Sequence, residues 1–201
     1  LIILIPRPRL VFDAQPGGGT GGQPWPQQPV MRVMDYLGLP VSPPTDPTNG
    51  VTLAIRDNPS GGTLSGTTNV LLIDGVATFT DLSINKAGSG YTLQAFSPYY
   101  TTAISQPFNI IIGAPAKLAF KKQPSNTAAG ATITPAVTVE VQDVAGNLVT
   151  SATSMVTLSL SVNPGGATLG GTKSKAAVGG IATFDDLSLD KVGTCLLYTS
   201  P

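Results

Sequence analysis

The stretch NPSGGTLSGTTNVLLIDGVATFTDLSINKAG, residues 58–88, returns as NPGGATLGGTKSKAAVGGIATFDDLSLDKVG at residues 163–193. Pro59 and Pro164 are 105 residues apart, and so are Gly75 and Gly180. A period of this length corresponds to one small domain rather than to one hairpin. Each copy is also long enough to bury a modest core of its own. The sequence therefore predicts two domains in tandem.

The alignment of the two copies sets the domain boundaries. Before residue 41 the step between equivalent residues is 108, and after residue 51 it is 105, so the first copy carries three extra residues in between. We place the first repeat at 9–113 and the second at 114–194. Residues 1–8 are interpreted as the tail of a preceding repeat, because Leu1–Ile5 aligns with 109–113 at the step of 108.

The last seven residues, Cys195–Pro201, do not continue the repeat. Alignment to the first copy calls for Gly-Tyr-Thr-Leu, whereas the chain reads CLLYTSP, which resembles a translated sequencing adapter. We interpret 195–201 as a non-native tail and exclude it from fold reasoning. The second repeat is then truncated, without counterparts of Tyr91–Ser97 and Pro107–Ile112. We expect that half to keep an open sheet edge, to fold poorly and to be the more protease-sensitive of the two.

Composition narrows the function classes. Of 201 residues, 11% are charged, and 11 basic residues balance 11 acidic ones, so no net field attracts nucleic acid or anionic lipid. The absence of histidine removes the commonest general base and metal ligand, and no cofactor is expected. The single cysteine, Cys195, excludes a disulfide framework within the chain. No apolar run is long enough for a membrane-spanning helix, so no membrane insertion is expected in this segment.

The apolar residues alternate with polar ones, as Val137, Val139 and Val141 do. A period of two places one face of a strand on a core and the other in water. Strands separated by Gly- and Pro-rich turns at this spacing predict an all-β fold with two antiparallel β-sandwiches. The phase slips between Phe79 and Leu82, which predicts a bulge or a sheet-switching bend at Thr80-Asp81. The strands predicted in the first repeat are Arg9–Gln15, Pro29–Tyr36, Val51–Asp57, Asn69–Ile73, Val76–Ile84, Tyr91–Ser97 and Pro107–Ile112.

Several short motifs carry a family resemblance. They are Val-x-Val-x-Asp-x-x-Gly-Asn-x-Val at 139–149, Gly-Gly-Thr at 170–172, Gly-x-Ala-Thr-Phe at 180–184 and Lys-x-Gly at 191–193. Together they resemble the bacterial Ig-like repeats of secreted and surface proteins, including the invasin/intimin type. The first repeat departs from the pattern at 36–41, which lacks the Gly-Asn turn.

The resemblance implies tandem Ig-like sandwiches in an extracellular stalk or adhesive array of a bacterial surface or secreted protein. Partners would be the neighbouring repeats and surface glycans or host and cell-surface proteins, with no nucleic acid. The linker Gly113-Ala114-Pro115-Ala116 is short and leaves little slack, which agrees with a semi-rigid array. Two alternatives remain: an accessory, carbohydrate-binding module of a secreted enzyme, and an enzyme. The enzyme is disfavoured by the missing histidine and the lack of a nucleophile motif.

Three aromatic residues are candidate ligand contacts. Trp25 lies between prolines in Gln-Pro-Trp-Pro, and Tyr99-Tyr100 is expected on the connection between the last two strands. Exposed Trp and Tyr rings stack on sugars and anchor protein partners. The alternative, which we favour, is that these rings cover the core or meet the neighbouring repeat.

Aspartates suggest a calcium hypothesis. Asp81, Asp185 and Asp186 are expected on loops, where clustered carboxylates bind hard cations. The Asp-x-Asp-x-Asp-Gly spacing is missing, so we favour aspartates that cap a bulge or a turn. For Asp35 and Asp143, which recur at the same place, we predict turn-stabilising bonds to the following backbone.

Overall fold

In a computed structural model, the chain divides between Ile112 and Gly113 into two compact units. The structure describes residues 7–42 and 49–193, together with the backbone of Leu196–Ser200. The residues outside the described part are 1–6, 43–48, 194, 195 and 201. The interpretations of Leu1–Ile5 and of Cys195, and the three-residue insertion placed within 42–49, therefore stay predictions.

The first unit contains eleven strands and no helix among its described residues. One sheet has the order β1-β3-β7, a larger one the order β2-β11-β9-β4-β6 with β10 also on β9, and β5 pairs with β8. The strands are β1 (Arg9–Ala14), β2 (Gly19–Thr20), β3 (Val30–Met34), β4 (Gly50–Asp57), β5 (Leu64–Ser65), β6 (Asn69–Leu71), β7 (Val76–Thr78), β8 (Ser83–Ile84), β9 (Gly88–Phe96), β10 (Ala103–Ile104) and β11 (Phe108–Ile111).

The second unit repeats this plan. Its sheets have the orders β12-β13-β17 and β16-β14-β19, and β15 pairs with β18. The strands are β12 (Lys117–Lys122), β13 (Val137–Gln142), β14 (Met155–Val162), β15 (Leu169–Gly170), β16 (Ser174–Ala176), β17 (Ile181–Phe184), β18 (Ser188–Leu189) and β19 (Leu196–Ser200). The predicted all-β sandwich architecture is confirmed.

The strand registers of the two units are the same. Met31 is opposite Ala77 in the first unit, and Val139 is opposite Ala182 in the second, which are the equivalent positions. Both registers set an apolar residue against a buried alanine, so the same face of each strand meets the core. All strand pairs between described strands are antiparallel except that of β2 with β11, which is parallel.

The phase slip marks a change of sheet, as predicted. The residues before it form β7, which pairs with β3, and those after it form β8, which pairs with β5. Phe79 and Leu82 are both buried, while Thr80 and Asp81 between them are exposed. Two exposed residues reverse the alternation, so that one chain segment contributes apolar side chains from two different sheets. The single predicted strand Val76–Ile84 is therefore two strands.

Each unit has its own buried apolar cluster. Phe79, Leu82 and Tyr91 lie in the first cluster, and Phe184 and Leu187, the equivalents of the first two, lie in the second. Burial of this apolar surface is the main favourable contribution to the folding of each unit.

The strand β19 was not predicted. It pairs with β14 as β9 pairs with β4, with the shift in register at the same place, after Leu160 in the second unit and Ile55 in the first. The expectation that the second unit has no strand in the place of Tyr91–Ser97 is therefore wrong. A backbone ladder accepts any extended segment, and Tyr and Thr favour strands, so the tail sequence fills the place. No counterpart of β11 is found in the described part of the second unit.

Candidate functional site

Trp25 is not a surface residue. It is 2% exposed, and its ring meets that of Phe108 edge-on at a centroid distance of 5.1 Å and an interplanar angle of 62°. The backbone N–H of Trp25 donates to the carbonyl of Leu82 at 3.1 Å. The Gln28 side chain donates to the carbonyls of both residues, each at 3.0 Å. The proline-flanked loop therefore folds inward, and the hypothesis of Trp25 as a ligand contact is wrong.

The residue equivalent to Trp25 in the second unit is Ile133, which is 3% exposed. The Ile133 N–H donates to the carbonyl of Leu187 at 2.7 Å, the counterpart of the bond from Trp25 to Leu82. The loop thus closes the core in both units.

The two tyrosines have different environments. Tyr100 is half-buried against the core of the first unit, and its hydroxyl accepts a hydrogen bond from the Asn49 amide at 3.0 Å. Tyr99 is 48% exposed, and its ring lies at 6.5 Å from that of Tyr100. Both lie on the connection that follows β9, as expected. Of the three candidate aromatic rings, Tyr99 is the one that presents a large surface to solvent.

Sequence reasoning missed an exposed apolar loop. Tyr36, Leu37 and Leu39 are 61%, 67% and 58% exposed. The loop is ordered by Asp35, whose Oδ1 accepts hydrogen bonds from the N–H groups of Leu37 at 2.9 Å and Leu39 at 2.8 Å. This confirms the predicted turn-stabilising role of Asp35. The signal that could have found the loop is its departure from the Gly-Asn turn of the second repeat.

Asp81 and Asp186, two of the calcium candidates, occupy equivalent positions and accept the same pair of hydrogen bonds. The Asp81 carboxylate accepts hydrogen bonds from Thr67, from its N–H at 2.8 Å and its hydroxyl at 2.9 Å. Asp186 accepts the same pair from Thr172, at 2.9 Å and 2.6 Å. We call these two pairs the Asp–Thr clamps. They fix a turn, which is the turn-capping alternative favoured above.

Asp185, the third calcium candidate, forms an ion pair with Lys175. The hydrogen bond from that ammonium lowers the pKa of the Asp185 carboxyl. Within residues 7–42 and 49–193, no group of three or more Asp, Glu, His or Cys side chains is placed to hold a metal ion. The two clamps and this ion pair give each of the three carboxylates a partner within its own unit.

Two further polar positions recur with identical bonds. The Asn58 side chain donates to the carbonyl of the residue four positions on and accepts from its N–H, at 2.8 and 2.7 Å, and Asn163 does the same at 2.7 and 2.7 Å. The Asn85 oxygen accepts a hydrogen bond from the Thr63 N–H at 2.7 Å, and at the equivalent position of the second unit an aspartate accepts it from a threonine. The repeated polar side chains thus bind the backbone of their own turns.

A shallow surface hollow of about 390 Å³ lies along β9 and β11 in the first unit. It is lined by Ala87, Gly88, Ser89, Ile110, Ile111 and Ile112. None of these side chains is ionisable, so the hollow contains no acid, base or nucleophilic thiol for a reaction.

Acid should destabilise both units through their clamps. The hydrogen bond from the Thr67 N–H is the largest cause of the lowered pKa of the Asp81 carboxyl. For Asp186 the largest cause is the hydrogen bond from the Thr172 hydroxyl, which also lowers the pKa. A carboxyl whose pKa is lower in the folded chain stabilises the fold above its unfolded pKa of about 4, and this contribution is lost as the pH falls through the folded pKa. We expect the melting temperature to be level from pH 5 to 7 and to fall below about pH 4.

Melting curves from pH 2 to 7 measure this, with Asp81→Asn as the variant and Asp74→Asn as a control in the same unit but outside the clamps. Asp81→Asn should reduce the acid-dependent loss in the first unit, whereas Asp74→Asn should not. A melting temperature that stays constant down to pH 2 would contradict the clamp account.

No protein-family model matches the chain. It is similar to mouse Fibrocystin-L, with 33% identity over 98 residues that make up 48% of this chain and 2% of that protein. The chain thus spans a very small part of this curated relative. No helix of the described residues is long and apolar enough to cross a membrane.

Two β-glucuronidases of known structure are distantly similar to the chain. Bacteroides uniformis β-glucuronidase 3 is 14% identical, with 96% of this chain and 23% of that chain covered and a TM-score of 0.33. Parabacteroides merdae β-glucuronidase is 11% identical, with coverage of 97% and 25% and a TM-score of 0.28.

Proposed function

We propose that this chain is part of a non-catalytic repeat array of Ig-like sandwiches, serving as an extracellular stalk or adhesive segment of a bacterial surface or secreted protein. The observation that carries the proposal is what the two copies share. The polar residues at equivalent positions, such as Asp81 and Asp186, bind the turns of their own unit. A duplicated active site would repeat polar groups that converge on a cleft, whereas these repeat the bonds that make the fold.

The similarity to Fibrocystin-L supports reuse of the same building block. The matched segment of 98 residues is close to one repeat in length and makes up 2% of a very long protein. One domain within a long chain gives a match of this kind. The proposal that these units are bacterial and extracellular rests on the motif resemblance and on the low charge.

The sequence of the complete reading frame tests the array. We expect further copies of the Asp-x-x-Gly-Asn and Gly-x-Ala-Thr-Phe motifs at intervals near 105 residues, with a secretion, cell-wall or outer-membrane segment at one end. A flanking catalytic domain with no further copies would overturn the stalk and favour the accessory module of a secreted enzyme.

Adhesion is separable from a pure spacer role. Tyr99 is the exposed candidate for ligand contact, so binding of the chain to a glycan array or to a cell surface should weaken about tenfold in Tyr99→Ala. Tyr100→Ala is a poor control because Tyr100 packs on the core. Tyr36→Ala removes a ring elsewhere in the same unit that is more exposed than Tyr99. Absence of binding by the parent chain would leave the spacer role and remove the adhesive one.

A further inference from the structure

The second unit contains a buried carboxylate that binds the chain where it enters. Asp143 is 1% exposed, and its Oδ2 accepts a hydrogen bond from the N–H of Gly113 at 2.9 Å. The same carboxylate accepts from Asn147 twice, from the backbone N–H at 2.8 Å and from the side-chain amide at 2.9 Å. Asn147 is itself 7% exposed. This confirms the predicted turn bond of Asp143 and adds a partner thirty positions away in the sequence.

The charged form of Asp143 is favoured despite burial. Burial raises the pKa of this carboxyl, but the N–H groups of Gly113, Asn147 and Ala145 together outweigh it, and the pKa lies below its usual value. Hydrogen bonds to a buried charged group are stronger than those between neutral groups. Removing the acceptor would also leave buried donors without a partner.

The bond to Gly113 is one of three successive attachments. Gly113 is the first residue of the second unit. Three positions later the Ala116 N–H donates to the carbonyl of Gln142 at 2.8 Å, and the Lys117 ammonium donates to the carbonyl of Val144 at 3.1 Å. Between the first two attachments lie only two residues, one of them a proline with a fixed φ. The entering segment therefore has almost no freedom to leave the loop that follows β13.

The first unit provides an internal comparison. Its equivalent of Asp143 is Asp35, which binds the backbone of its own loop. The equivalent of Asn147 is Leu39, which is 58% exposed and has no polar group in its side chain. The hydrogen bond from the Asn147 side-chain amide to the Asp143 carboxylate is therefore specific to the loop that contains Gly-Asn. The stability of the turn itself does not require it, because the turn of Asp35 forms without it.

We propose that Asp143 and Asn147 form a junction lock, which holds the N–H of Gly113 and fixes the segment Gly113–Ala116 on the second unit. In a tandem array, a pull on one unit reaches the next through this segment. The lock transmits the pull to the loop after β13. Without it, the pull would act first on Lys117, the first residue of β12, and would separate β12 from β13 starting at that end. It is a property of the second unit and stands whether or not the array is a stalk.

Amide hydrogen exchange of the whole chain, measured by NMR, tests the lock. In the wild type the Gly113 amide should be protected to a degree similar to that of ladder amides at the ends of β12. In Asp143→Asn an NH2 group replaces one carboxylate oxygen and faces the N–H groups that the oxygen accepted from. Exchange of the Gly113 amide should therefore accelerate about tenfold or more. The amides of β13 and β17 should remain protected, which shows that the unit is folded.

Two further variants separate the lock from general stability. Asn147→Leu installs the residue of the first unit and keeps the backbone N–H, so the acceleration at Gly113 should be smaller than in Asp143→Asn. Asp35→Asn changes the equivalent carboxylate in the first unit and should leave Gly113 unaffected. If Asp143→Asn unfolds the unit, the proposal is tested by the protection of the Gly113 amide in the wild type and by its exchange rate in Asn147→Leu. A wild-type Gly113 amide that exchanges like an unstructured peptide, or an unchanged rate in both variants, would overturn the proposal.

Discussion

Replacing Trp25 with alanine is expected to lower the free energy of unfolding of the first unit by about 3–5 kcal/mol, the usual range for a buried Trp truncated to Ala. The ring is 2% exposed and packs edge-on against Phe108, so alanine leaves a cavity in the core. The second unit has a cluster of its own and should keep its stability. Hydrogen exchange followed by mass spectrometry reports on peptides of both units in one experiment.

A conservative variant tests the reason for this loss. The indole Nε1 is buried and finds no hydrogen-bond acceptor among the described residues. Trp25→Phe removes that N–H and keeps most of the apolar contact, so it should cost less than about 1.5 kcal/mol. In the second unit, Ile133→Ala should destabilise only that unit, by about 2–5 kcal/mol. A first unit that keeps its full stability in Trp25→Ala would mean that the ring does not belong to the core.

The second large effect is expected from Gly171→Ala. Gly171 has a φ of 88°, and a Cβ placed on it would lie 2.3 Å from the backbone oxygen of Asp186. A methyl group there must push this backbone away and with it the carboxylate that binds Thr172. We expect a loss of about 3 kcal/mol or more in the stability of the second unit, from strain and steric overlap together.

Gly179 is the matched control in the same unit. Its φ is 59°, and a Cβ would have no atom within 4 Å. Gly179→Ala thus carries the backbone strain without the overlap and should cost only about 1–2 kcal/mol. Urea unfolding of both variants measures the difference. Equal losses would show that the close approach to Asp186 is absent, and with it the geometry of the clamp.

The strand pattern was open to prediction because it depends on local alternation. The run Val137, Val139 and Val141 is buried at every second residue, and the phase slip at Thr80-Asp81 coincides with the change of sheet. The strands β2, β5 and β10 were missed since two residues cannot show a period. The repeat provides a second copy of each pattern. A pattern that occurs in both copies belongs to the fold and is not a coincidence of one sequence.

The environment of single side chains could not be predicted in this way. Prolines and polar residues around Trp25 indicate an exposed loop, whereas its burial depends on Phe108, which lies far along the chain. The turn bond of Asp143 was predicted, but its bond to Gly113 and the bond of Asp81 to Thr67 join residues thirty and fourteen positions apart. Such contacts are decided by tertiary packing, to which composition and local spacing give no access.

Each copy folds into the same two-layer sandwich with the same register. A NOESY spectrum of the isotope-labelled chain can show this in both copies at once. We expect cross-strand backbone contacts between Met31 and Ala77, and the equivalent contacts between Val139 and Ala182. Contacts in only one copy, contacts shifted by one residue, or a helical pattern of sequential contacts in either copy would contradict it.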